Sequence, residues 1–116
     1  MLPKPRSSRL EKQDARETRN ALIRRIREAV FARDGRCRLC GVWGQDQMHE
    51  IQSRAALRGQ SPERIFSLEN CVRVCPDCHR KLTERVWRLE VVKPGGANVQ
   101  GGLLLLDVRR TPLKRV

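Results

Sequence analysis

Apolar residues first take on a regular period between Leu10 and Ala32, where Leu22, Ile26, Ala29 and Val30 recur at helical spacing and Arg24, Arg25 and Arg27 fall largely outside that stripe. Side chains three and four apart share one face of a helix, so the stretch predicts a basic amphipathic helix over residues 10–34, stopped by Asp34-Gly35. The next apolar signals are short. Met48 to Ile51 suits one strand, and Leu68 to Val74, with Val72 and Val74 alternating against Arg73, suits a second. Between them Gln52 to Phe66 carries Gly59 and Ser61-Pro62 and reads as a loop, with a helical turn around Arg54 to Leu57.

Cys75-Pro76 opens a second helix, with proline suited to a first turn, and the spacing of Leu82, Val86 and Leu89 carries it forward. Gly95-Gly96 and Gly101-Gly102 then bracket a flexible connection. The run from Gly102 to Val108 predicts a strand pairing back on Leu89 to Val92, and Arg109 to Val116 reads as a basic surface tail. At the other end, residues 1–9 combine Pro3, Pro5, Ser7 and Ser8 with basic groups and predict a disordered arm. The chain thus divides into an arm (1–9), a helix (10–34), a central domain (35–92) and a C-terminal hairpin-like extension with a basic tail (93–116).

Composition sharpens this picture at one point. In a chain of 116 residues with two Phe, two Trp and no Tyr, the central domain has little large apolar surface to bury, and a core that small generally needs a staple. Five cysteines offer one. Cys37 and Cys40, then Cys75 and Cys78, form two C-x-x-C pairs separated by 34 residues, while Cys71 is left over. An odd count argues against a disulfide framework, and four thiolates at this spacing satisfy a tetrahedral zinc ion with no open position, which makes the site structural. A redox pair would need a thioredoxin-like βαβ context that is missing here. Cys71, inside a predicted strand, reads as a small buried apolar residue rather than a ligand. No apolar run approaches the roughly twenty residues of a membrane span, and the N-terminus lacks the apolar stretch of a secretory signal. A reducing, cytoplasmic setting without membrane attachment follows as the expectation.

Charge points to the partner. With 25 Lys plus Arg against 13 Asp plus Glu, the net charge is +12, and arginine, whose planar fork suits phosphate, predominates. Nucleic acid is the expected partner ahead of a membrane or an acidic protein.

The two histidines then acquire meaning from their positions. His49 lies between the knuckles and His79 directly follows the last cysteine, so neither is needed for the zinc site. The series Val30-Phe-Ala-Arg-Asp-Gly-Arg-Cys-Arg-Leu-Cys-Gly41, Met48-His-Glu-Ile-Gln-Ser-Arg54, Leu68-Glu-Asn70 and Val74-Cys-Pro-Asp-Cys-His79 resembles the zinc-knuckle branch of the HNH endonucleases, especially small phage-type ones, over about residues 26 to 87. The resemblance implies an α+β fold: a small ββα-metal (His-Me finger) domain with a structural four-cysteine zinc site, preceded by the basic helix. It also implies a metal-dependent endonuclease that nicks or cleaves DNA as a monomer or homodimer, in a phage-infected or bacterial cytoplasm. His79 matches the final His and would ligate a catalytic divalent metal such as magnesium or manganese. Asn70 matches the central Asn, which ties a loop to backbone and orients the general base. His49 and Glu50 match the paired positions at the end of the first strand, the first a metal ligand and the second ordinarily the histidine that activates water.

Glutamate stands where that histidine is expected, which leaves three readings open. Either Glu50 is the base, or Glu50 is a hard oxygen ligand and His49 the base, or the substitution has cost activity. Arg54 and Arg58 in the loop, and Arg80, Lys81 and Arg85 on the helix, are candidate contacts to flanking phosphates. The competing reading is a catalytically degenerate, zinc-ribbon-like module that binds DNA or protein, including packaging proteins, in phage assembly.

Overall fold

The computed structural model describes residues 9–44 and 47–116. The arm predicted over residues 1–9 lies outside the described residues except for Arg9, where the first helix begins. That helix, α1, spans Arg9–Arg33 and has Val30 buried, with Leu22, Ile23, Ile26 and Ala29 half-buried beside it. The predicted stripe is therefore the face that packs. Residues 9–21 are exposed on every side, and the helix projects from a molecule measuring 60 × 29 × 26 Å. No helix among the described residues is long and apolar enough to cross a membrane.

Two small antiparallel sheets complete an α+β fold. Strand β1 (Gln47–Glu50) pairs with β2 (Cys71–Val74), placing His49 opposite Val72 and Glu50 opposite Cys71. The second expected strand is thus confined to its last four residues, and the segment before it holds a short helix, α2 (Pro62–Ile65), that the loop reading did not include. Proline in its first turn and Glu63 behind it favour that helical turn. The turn foreseen around Arg54 to Leu57 is present, with the Leu57 amide donating to the Ser53 carbonyl at 3.0 Å.

Helix α3 covers Pro76–Thr83 and stops well short of Leu89, contrary to the apolar spacing. Arg85 takes the left-handed conformation at φ 61°. Its amide bonds the Leu82 carbonyl at 3.2 Å, and the Val86 amide reaches back to Lys81 at 2.9 Å. This pair of bonds is the Schellman ending, normally built on glycine. Val86 and Leu89 then belong to an extended segment in which β3 (Trp87–Val91) alternates so that Leu89 alone is buried. A short apolar run satisfies both periods, and sheet pairing decides between them.

β3 pairs with β4 (Leu103–Asp107), Leu89 facing Leu105, as the sequence predicts. The tail is not a loose extension: Pro112–Arg115 forms β5, an exposed edge strand on β4. The glycine-rich connection is packed as well. Ala97 is fully buried in a 3₁₀ turn, and its amide donates to the Glu69 carbonyl at 3.0 Å. Gly96 makes that approach possible, since it sits at φ +52° and a Cβ there would lie 2.7 Å from the same oxygen. One buried cluster unites Leu39, Val72, Val74, Leu82, Leu89, Ala97, Leu103 and Leu105 with Cys37, Cys75 and Cys78. The last quarter of the chain therefore shares the core of the central segment.

A polar centre joins the pieces from the α1 side. Asp34, its side chain 3% exposed, accepts from Arg33 and from Arg38 at 2.9 Å, and from the Arg73 amide of β2 at 3.1 Å. Arg33 continues to the carbonyls of Leu68 and Cys71, and Arg38 to that of Ala97. Burial raises the Asp34 carboxyl, but the Arg33 hydrogen bond, the Arg73 amide and the two guanidinium charges outweigh it and hold the group below its ordinary value of 3.8. Because the folded value is the lower one, this contribution to stability is present above about 3.8 and is lost as pH falls through the depressed value.

The helix ending gives a test. Glycine adopts the Arg85 backbone without a Cβ penalty, so Arg85→Gly is expected to raise stability by about 1 kcal/mol in urea titrations, whereas Arg85→Val should lower it.

Candidate metal centre and histidine pair

The four paired cysteines converge. Cys37 and Cys40 come from a tight knuckle closed by the Gly41 amide donating to the Cys37 carbonyl at 2.8 Å, with Gly41 at φ 75°. Cys75 caps α3 and Cys78 sits in its first turn, its amide 3.4 Å from the Cys75 sulfur. The four sulfurs lie within 4.8 Å of one another, and those of Cys40 and Cys75 are 3.7 Å apart. Four sulfurs about 2.3 Å from one ion in a tetrahedron would be about 3.8 Å apart. The donor set therefore fits a metal such as zinc.

The electrostatics call for a cation at the same place. Burial raises the Cys37 thiol, but the amides of Cys40, Cys75 and Leu39 converge on it and bring it down to about 7. Cys78 is pushed up by burial and by the sulfurs around it, and Cys40 is raised chiefly by burial. Four thiols this close cannot all ionise unaided, and a central cation removes the conflict. Cys71 stands apart as expected. It is fully buried, with its sulfur 3.6 Å from the Ile65 carbonyl, and burial followed by the Glu50 charge pushes the thiol up to about 12. A thiol so placed stays protonated and inert.

On the α3 side of β1 the two histidines meet. His49 and His79 have ring centroids 5.5 Å apart at 70°. Gln47, two residues before His49 and so on the same face of the strand, accepts from Nδ1 of His79. In a neutral ring with its proton on Nδ1, Nε2 of His79 would be left as a lone-pair donor, as in a metal-binding imidazole. His49 is held down to about 4, first by burial and then by the neighbouring His79, so it is neutral at pH 7.

Asn70 is buried and saturated. Its oxygen accepts from the Gln52 amide at 2.8 Å, and its Nδ2 donates to the carbonyls of Gln52 and Ile65 at 3.0 and 2.9 Å. The side chain thus clamps the segment leaving β1 just beyond His49 and Glu50. Glu50 itself, alternate to His49, lies on the other face of the strand, with its carboxylate 3.4 Å from Arg54. Among the described residues, the only His, Cys, Asp and Glu side chains that gather three or more ligand atoms are the four cysteines.

The candidate phosphate contacts are spread out. Arg54 is exposed and rests over the Phe66 ring, and Arg58 is exposed in the same loop. Arg80 pairs with Glu84 at 3.4 Å, Lys81 lies 4.2 Å from the Trp87 ring centre, and Arg85 is exposed at the helix ending. Sequence reasoning missed Gln47, although its position two residues before His49 was a usable signal. It also missed Asp34, which reads in sequence only as a helix stop. No family model, no curated protein and no solved structure matches this chain.

Two outcomes follow. Stripping the metal with a strong chelator, or Cys75→Ser, should collapse the near-UV and NMR signatures of the folded chain, because structural zinc contributes about as much as a small domain's whole stability. In metal-replete protein without added magnesium or manganese, the His49 ring should stay neutral by NMR well below the ordinary imidazole value of 6.5, and His79→Ala should raise the pH at which it begins to protonate.

Proposed function

We propose that this protein is a metal-dependent endonuclease of the HNH type, hydrolysing phosphodiester bonds in DNA. The reading takes β1, β2 and α3 as a ββα-metal (His-Me finger) unit stapled by zinc on its four cysteines. The observation that carries it is the pairing of His49 with His79 across β1 and α3, with Asn70 clamping the strand exit. Neither histidine is needed by the four-sulfur site. Two facing imidazoles, one bonded by Gln47 and the other, His49, neutral at pH 7, are good ligands for a divalent cation.

A divalent ion held there would acidify water and offset charge on the phosphoryl oxygens during in-line attack. His79 would offer Nε2, with Gln47 holding the other ring nitrogen, and His49 would supply a second nitrogen. Asn70 ties the exit of β1 at Gln52 to the end of α2 at Ile65. Glu50, on the far face with Arg54, would have to turn toward the histidines to serve as base. Arg54 and Arg58 in the loop and Arg80, Lys81 and Arg85 on and after α3 are exposed or half-buried cations suited to backbone phosphates on either side of the strand. A second reading, the degenerate zinc-ribbon-like module acting in phage assembly, is favoured by the separation of Glu50 from the histidine pair.

Supercoiled-plasmid nicking decides between them. Purified zinc-loaded protein is expected to nick with magnesium, manganese or nickel, and His79→Ala and His49→Ala to lose about a hundredfold or more at unchanged zinc content. Glu50→Gln should cost less than either. Absence of nicking with every metal overturns the enzyme reading in favour of the binding module.

A further inference from the structure

On the knuckle side of the molecule a cleft of about 830 Å³ opens between residues 33–41, the 97–101 turn and β5. Among the described residues its charged side chains are Arg33, Arg36, Arg38, Lys114 and Arg115 against one side-chain carboxylate, Asp34, which is already engaged by Arg33 and Arg38. Lys114 donates to the Leu39 carbonyl, which fixes β5 as one wall. Arg36 does something different. Among the described residues it pairs with no carboxylate, and its guanidinium lies 5.0 Å from the centre of the Trp43 ring. Trp43 is 69% exposed, an expensive place for the largest apolar side chain, and Val42 beside it is 47% exposed.

A cationic cleft alone would suit any polyanion. An indole backed on one side by a guanidinium and open on the other is narrower in its meaning, because it offers a flat surface to another flat ring. Arg36 belongs to both features, so a ring stacked on Trp43 would have its adjoining phosphates at the mouth of the cleft. Bases in a duplex are stacked on each other and withhold their faces, while unpaired bases present them.

We propose that Trp43 and the Arg36, Lys114 and Arg115 cleft form a binding site for single-stranded nucleic acid, one unpaired base stacking on Trp43 and its flanking phosphates entering the cleft. None of these residues belongs to the histidine pair or to the arginines around it. The site rests on the nucleic-acid part of the proposed function and not on its cleavage chemistry, and it extends the substrate class to DNA with an unpaired segment.

The test is fluorescence anisotropy with a labelled mixed-sequence single strand and with the same strand in its duplex, using zinc-loaded full-length protein and no added magnesium. Trp43→Ala is expected to weaken single-strand binding about tenfold and duplex binding less than about twofold. Arg36→Ala combined with Arg115→Ala should weaken both and flatten their salt dependence. In Trp87→Phe protein, the remaining Trp43 fluorescence should be quenched by the single strand and much less by the duplex. Single-strand binding unchanged in Trp43→Ala, or equal losses on both probes, overturns the proposal. Plasmid nicking separates the two ideas. If Trp43→Ala nicks normally and binds the single strand as wild type does, this site is wrong and the nuclease stands; if the wild type binds the single strand through Trp43 and cuts nothing, the nuclease is wrong and this site stands.

Discussion

Convergence of four cysteine sulfurs on one point is the constraint from which the rest of the arrangement follows. Cys37 and Cys40 belong to the knuckle after α1, and Cys75 and Cys78 to the start of α3, so a single ion at their centre would close a loop of more than thirty residues containing β1, α2 and β2. The apolar core is organised around the same place, since three of these cysteines are members of the cluster that includes Val72, Leu89 and Leu105. With almost no aromatic mass to bury, the chain has few other ways to hold this geometry.

The sulfur cluster also accounts for where the histidines are. Fixing Cys78 fixes His79, the next residue of the helix, and the pairing of β1 with β2 brings His49 up to it. Asp34 completes the frame from the free edge of β2, where it accepts from the Arg73 amide. It binds α1 to the backbone of β2 and, through Arg33 and Arg38, to the 97–99 turn. A buried carboxylate ringed by guanidinium groups costs desolvation and is repaid only while every partner is present. The sulfur cluster and the histidine pair thus lie on the same, α3-facing side of one small sheet, while the Asp34 and arginine network braces its β2 edge.

Much of this was legible in the sequence because it depends on local order. The C-x-x-C spacing announces the sulfur cluster, the Leu22 to Val30 stripe announces the buried face of α1, and the four-leucine run announces β4. What escaped depends on competition between levels. Leu82, Val86 and Leu89 satisfy helical spacing, but an arginine in a left-handed ending and pairing with β4 draw Leu89 into a strand. Pro112–Arg115 has no buried residue, so no apolar signal marks it as β5. The Asp34 network depends on partners far away in sequence and carries no motif. Glu50 is adjacent to His49 in the chain, and the resemblance to HNH nucleases groups them. Strand alternation separates them in space, a point that the two-residue period predicts once β1 is accepted as a strand.

The proposed function divides the labour: sulfur alone would hold the structural ion, and the histidines would be kept for a second one. X-ray absorption at the zinc edge of the purified protein tests this most directly. The prediction is a shell of four sulfurs at about 2.3 Å with no imidazole scattering. A mixed shell of sulfur and histidine nitrogen would mean that His49 or His79 belongs to the staple, and the separation of scaffold from chemistry would fall.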